Sequence, residues 1–251
     1  MRQRTNPLHV TAVAGTAMVV LAACGSAGTS DGSAESPTPA EFMDRIVAAS
    51  IDEGSVHVVM DMGAAGGLEA DMVLGEDDAD MALDMTADLE GDETKIVLVE
   101  EKWYIHTADL GDQWIISDPD DPNDPFGEAI SEMGSLNPAA QVEDIKPAVT
   151  GVEKIGEEKL GGVDTTHYEV TVDPEKAPED AGFDPEILEK ADLEDGLVFD
   201  YWLDADDLMR KVSFDIAGQS VETTMTGWGE TYEIEAPKNA VTFAELMQAP
   251  A

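Results

Sequence analysis

Apolar and polar residues alternate with a period of two through most of this sequence, and that pattern leaves few folds open. Val56, Val58, Met60 and Met62 fall on one side of a run, and Leu68, Ala70, Met72 and Leu74 do the same after Gly66-Gly67. Met81, Leu83 and Met85 follow Glu76-Asp77-Asp78, and Ile96 with Leu98, Trp103 with Ile105, and Trp114 with Ile116 continue the series. Gly91-Asp92 and Gly111-Asp112 punctuate the runs at hairpin spacing. The reading is an antiparallel meander with one apolar face and one face rich in Asp, Glu and Thr.

Strand patterning returns at Val163, where Thr166, Tyr168, Val170 and Val172 alternate with His167, Glu169 and Asp173. It resumes at Leu197–Asp204, Leu208–Ile216, Ser220–Thr226 and, briefly, Thr231–Ile234, with Asp204-Ala205-Asp206-Asp207 as a turn. The total comes to about ten strands. Helical signals are few. Thr38, Pro39 and Glu41 form a helix start, and Phe42, Ile46, Val47, Ser50 and Ile51 recur at helical spacing up to Gly54. Short helices are expected within 126–146, with a turn or two near 185–191. The acidic stretch Asp118 to Pro125 carries three prolines and reads as a surface loop. The fold class is therefore α+β, as one domain over 40–240 with a tail at 241–251. Its long sheet must curl, or take helices across its apolar face.

Charge narrows the partners. The chain holds 55 Asp+Glu against 13 Lys+Arg, a formal net charge of -42. Such a surface has no basic patch to release counterions from nucleic acid, and it does not dock on anionic headgroups. Catalytic signals are missing. His57, His106 and His167 lie opposite the apolar face without metal-ligand spacing, and no G-x-S-x-G, Ser-x-x-Lys, Walker or dinucleotide pattern occurs. The reading is a protein that is not an enzyme, with no cofactor and no metal. The aspartates of the 118–125 loop lack the EF-hand order and read as solvated.

Methionine is the informative residue. Met60, Met62, Met72, Met81 and Met85 fall on the apolar face of three successive runs, and Met225 joins them late in the chain. Strands ordinarily favour β-branched residues, whereas the flexible, polarizable thioether suits surfaces that adapt to varied apolar shapes. The cluster suggests a deformable apolar cavity; a core that is simply rich in Met is the alternative.

The first residues read as an address. Arg2 and Arg4 precede an apolar stretch from Leu8 to Ala23, which at about 16 residues is short for a membrane span and fits a secretory signal peptide. Leu21-Ala22-Ala23-Cys24 resembles the bacterial lipobox, in which the Cys becomes linked to diacylglycerol and cleavage makes it the new N-terminus. Residues 1–23 are thus the expected signal peptide. Residues 24–39, lacking any large apolar side chain, are an acylated tether with a reach of roughly 20 Å. That places the body outside the cytoplasm, anchored to the cell membrane through Cys24, the sole cysteine.

This lipobox, tether, opening helix and meander, followed by Gly161-Gly162-Val163-Asp164-Thr165-Thr166-His167-Tyr168-Glu169-Val170-Thr171-Val172-Asp173 and by Tyr201-Trp202-Leu203-Asp204 with Arg210-Lys211 on the next strand, resemble actinobacterial cell-envelope lipoproteins of the LppX/LprG type. The resemblance implies a LolA-like fold: a strongly curved antiparallel sheet, a half-barrel, with helices covering its concave face over an apolar cavity. It implies no catalytic residues and a lipid or glycolipid ligand. The implied cavity wall is Val58, Met60, Met62, Met72, Leu74, Met81, Leu83, Met85, Ile96 and Leu98. The acidity favours neutral acyl chains or glycolipids over anionic lipids, and Arg210 and Lys211 are expected in salt bridges. Two other readings stay open: a binding or sensing module with a filled core, acting through its acidic surface toward an envelope partner, and a hydrolase with scattered acids.

Overall fold

A computed structural model describes residues 37–75, 80–89, 91–118, 124, 126–127, 130, 138–176, 196–216 and 218–248. The signal peptide, Cys24 and most of the tether lie outside the described residues. So do the turn at 76–78, most of the acidic loop and its following helical turns, and the 185–191 segment.

The first helix forms where its signals lie. Helix α1 spans Pro39–Glu53, with Thr38 and Glu41 in a reciprocal capping box and Gly54 closing the far end at φ 72°. Phe42, Met43, Ile46 and Ser50 are its buried stripe, while Ile51 faces solvent. After it come β1 (Ser55–Asp61), β2 (Gly66–Val73), β3 (Ala82–Leu89), β4 (Asp92–Val99), β5 (Lys102–Thr107) and β6 (Trp114–Ser117). Helix α2 spans Pro138–Ile145 and runs into a 3-10 turn at Lys146–Ala148. Next are β7 (Val149–Leu160), β8 (Val163–Val172), β9 (Leu197–Leu203), β10 (Met209–Ile216), β11 (Gln219–Thr226), β12 (Ala240–Thr242) and helix α3 (Phe243–Gln248).

All twelve strands join one sheet, in the order β12-β6-β5-β4-β3-β2-β1-β11-β10-β9-β8-β7. Every pairing is antiparallel except β12 with β6, which is parallel. The sheet is curved and does not close. Its width explains this, since strand twist accumulates and open sheets beyond about ten strands curl.

Four details differ from the sequence reading. Strand β7 was not expected: its apolar residues Val149, Val152 and Ile155 are three apart, because bulges between Val149 and Gly151 and between Lys154 and Gly156 break the alternation. No strand forms at Thr231–Ile234; the chain beyond β11 passes on to β12 at the opposite edge of the sheet. The boundary at 240 falls inside β12, so 241–248 carries strand and helix rather than a bare tail. Finally, Ile115 and not Trp114 or Ile116 lies on the apolar face, opposite Ile105. The 3-10 turn Ala108–Leu110 lengthens the β5–β6 connection and shifts the register by one residue.

Candidate functional site

Register places the apolar residues in rows. Val56, Met72, Leu83, Leu98, Trp103 and Ser117 stand opposite one another across β1–β6. Val58, Ala70, Met85, Ile96, Ile105 and Ile115 form the next row. The face continues through the other half of the sheet, where Val58 faces Met225, Met60 faces Thr223, and Thr223 faces Val212. Tyr201, Tyr168, Phe199 and Phe214 carry it on toward β7.

Helices lie on this same face. The Phe42 ring of α1 sits 4.9 Å from Tyr168 and 5.9 Å from Tyr201, centroid to centroid. Val142 of α2 and Ala148 belong to the same buried cluster as the strand residues. Burial also pushes the Tyr201 hydroxyl far above its ordinary pKa, because the phenolate cannot be solvated there.

Eight of the ten residues expected to wall a cavity are buried in that one cluster: Val58, Met72, Leu74, Met81, Leu83, Met85, Ile96 and Leu98. Leu74 and Met81 lie just outside the ends of β2 and β3. Met60 is half-buried on β1. Met62 is also half-buried, but it lies past the end of β1, at the start of a 3-10 turn over Gly63–Ala65. The chain turns between Met62 and Gly66, whose backbones are hydrogen bonded, and Gly66-Gly67 opens β2. The sequence reading missed the far part of the apolar face, on β8 to β10, and placed only Met225 of β11 with it. Alternation was legible there, but only registration across the sheet shows that those aromatics continue the Met-rich face.

The face is almost free of polar groups. Thr223 and Ser117 are its buried polar residues on the strands. Elsewhere buried hydroxyls are used: Ser50 donates to the Ile46 carbonyl (2.9 Å), Ser55 to the Glu230 carbonyl (2.6 Å) and Thr165 to the Glu158 carbonyl (2.9 Å).

The opposite face carries the charge. His57 Nδ1 lies 2.7 Å from Asp71, His106 Nε2 lies 2.7 Å from the Gly111 carbonyl and His167 Nε2 lies 2.6 Å from Asp200. Three separate partners in three separate places assemble no catalytic constellation. The His167 ring stacks on Trp202 with centroids 4.4 Å apart, and Lys211 Nζ lies 4.9 Å above the Trp202 ring. Arg210 reaches Asp204 at 2.7 Å through Nε and Lys211 pairs with Glu222, so both cations are in the expected salt bridges. Asp124 accepts from the backbone of Asp118 (2.9 Å) and Phe126 (2.8 Å), a local loop-shaping role. Among the described residues no group of three or more His, Cys, Asp or Glu is placed to hold a metal ion. No helix among them is long and apolar enough to cross a membrane.

No family model and no curated protein matches the sequence. Solved structures do. LprF from Mycobacterium bovis superposes with a TM-score of 0.54 at 15% identity, covering 80% of this chain and 99% of that one. The Mycobacterium tuberculosis lipoprotein LppX gives 0.50 at 15% identity, covering 79% and 99%. The curved twelve-stranded sheet with helices over its apolar face therefore has the fold of LprF and LppX, the lipoprotein type that the sequence resemblance names.

Proposed function

We propose that this chain is a membrane-anchored envelope lipoprotein that binds a lipid or other apolar ligand beneath its curved sheet, as carrier or chaperone. One observation supports this above the rest: a continuous apolar face runs from β6 to β8 and carries Met60, Met72, Met85 and Met225 where rigid β-branched side chains would pack a closed core better. The ligand would lie against Val58, Met60, Met72, Leu83, Met85, Ile96 and Leu98, with Met62, Leu74 and Met81 toward the strand ends. Burying an acyl chain of about 16 carbons at ~0.8 kcal/mol per methylene gives a gross gain on the order of 10 kcal/mol, before ordering costs. No chemistry on the ligand is needed or proposed.

Cys24 would hold the body to the outer side of the cytoplasmic membrane through its acyl groups. Membrane fractionation tests that half: the native chain is expected in the membrane fraction and Cys24→Ser outside it, and identical partitioning would contradict the anchor. A fluorescent fatty-acyl probe tests the other half. Saturable binding at one site, displaced by a neutral glycolipid and weakened at least tenfold by the bulky Met85→Trp, is expected. Probe binding that never saturates would contradict a built site.

The second reading is a filled core with function on the acidic outer surface. It draws on the deep burial of eight of the expected wall residues. It predicts no acyl-probe binding and co-purification with a cationic envelope protein.

A further inference from the structure

One hydroxyl on the apolar face has nothing to bond. Ser117 is 3% exposed, and its Oγ is the one buried side-chain polar atom among the described residues without a hydrogen-bond partner. Ser50, Ser55 and Thr165, equally buried, each donate to a carbonyl. A buried hydroxyl left unpaired forfeits its hydration without compensation, so a serine in this place calls for an acceptor.

Its register says where that acceptor would lie. Ser117 stands opposite Trp103 on β5, and Trp103 opposite Leu98 on β4, in the row that continues through Leu83 and Met72. The hydroxyl therefore belongs to the apolar face, on the β5–β6 side of the wall assigned to the ligand.

We propose that Ser117 is the polar contact of the ligand site, and that the ligand carries an acyl ester whose carbonyl oxygen accepts the Ser117 Oγ–H. This rests on the carrier reading above and specifies its ligand. The chemistry selects the ester. An ionised headgroup placed among Trp103, Leu98 and Leu83 would pay a desolvation cost far beyond what one hydrogen bond returns. A bare hydrocarbon would leave the hydroxyl unsatisfied. A neutral carbonyl flanked by methylenes satisfies it and keeps the remainder of the contact apolar.

The test uses the full chain with 1-palmitoylglycerol and 1-O-hexadecylglycerol, which differ only in the ester carbonyl. Wild type is expected to bind the ester roughly fivefold more tightly, the worth of one net hydrogen bond. Ser117→Ala is expected to bind the two alike, with unchanged affinity for the ether and a melting temperature no lower than wild type. Equal wild-type affinities, or a preference that survives Ser117→Ala, would overturn the inference and leave the carrier reading standing. A wild type that binds neither compound overturns the carrier reading, and the inference with it.

Discussion

Thr38 illustrates how single side chains act in this fold. Its hydroxyl and backbone bind Glu41, and these hydrogen bonds hold the Glu41 carboxyl below its ordinary pKa. Because the folded state prefers the carboxylate, the cap is fully in place above the unfolded pKa and weakens as pH falls through the lower folded value. Thr38→Ala is expected to cost about 1 kcal/mol in urea denaturation at neutral pH, with a smaller loss in acid; equal losses would contradict the capping account. Asp84 has the opposite sign. Desolvation, and secondarily the neighbouring Asp71 carboxylate, raise its pKa, with Lys95 opposing. The fold prefers its protonated form, so its charge destabilises at neutral pH and the penalty fades as pH drops toward the unfolded value. Asp84→Asn is expected to raise the melting temperature at pH 7 and to leave it unchanged near pH 3.5. A gain of the same size at both would argue against electrostatics as the cause.

At the scale of elements, the turns and edges decide the pattern. A Cβ on Gly67 would come within 2.5 Å of the Met60 carbonyl oxygen, so only glycine lets β2 leave its turn and pair with β1. Gly67→Ala is expected to lower stability by roughly 1–3 kcal/mol, read by chemical denaturation; a neutral substitution would show that the hairpin can shift at no cost. The edge strand β7 carries two bulges together with Lys154, Glu157 and Lys159, devices that discourage pairing with another sheet. Those bulges also hid it from the sequence. Where alternation is unbroken, as in β1 to β4 and in β8, faces could be read residue by residue. Where a loop or bulge adds one residue, as before Ile115 and within β7, local pattern misplaces the face, because register is set by the partner strand. The same limit applies to the site. Met72, Leu83 and Met85 were legible as one face, whereas Ser117 joins it only once the one-residue shift across the β5–β6 turn is known, and Phe199 and Tyr201 only once strands far apart in sequence are paired.

Across the whole molecule, a formal net charge of -42 sets a background of self-repulsion that the apolar face must outweigh. Salt screens this repulsion, with the Debye length falling from ~30 Å at 0.01 M to ~8 Å at 0.15 M. The melting temperature at pH 7 is expected to rise by several degrees over that range, and a flat response would mean that the acids are locally neutralised. On the proposed carrier function, the same charge disfavours anionic lipids and favours neutral acyl compounds. All of this rests on the helix-covered face holding a guest rather than only its own side chains. Mass spectrometry of an organic extract from the native full-length protein, purified without added lipid, tests that directly. A neutral acyl lipid recovered at near one per protein, and lost from Met85→Trp, is the predicted result; an extract with no lipid beyond the acyl groups attached at Cys24 would contradict it.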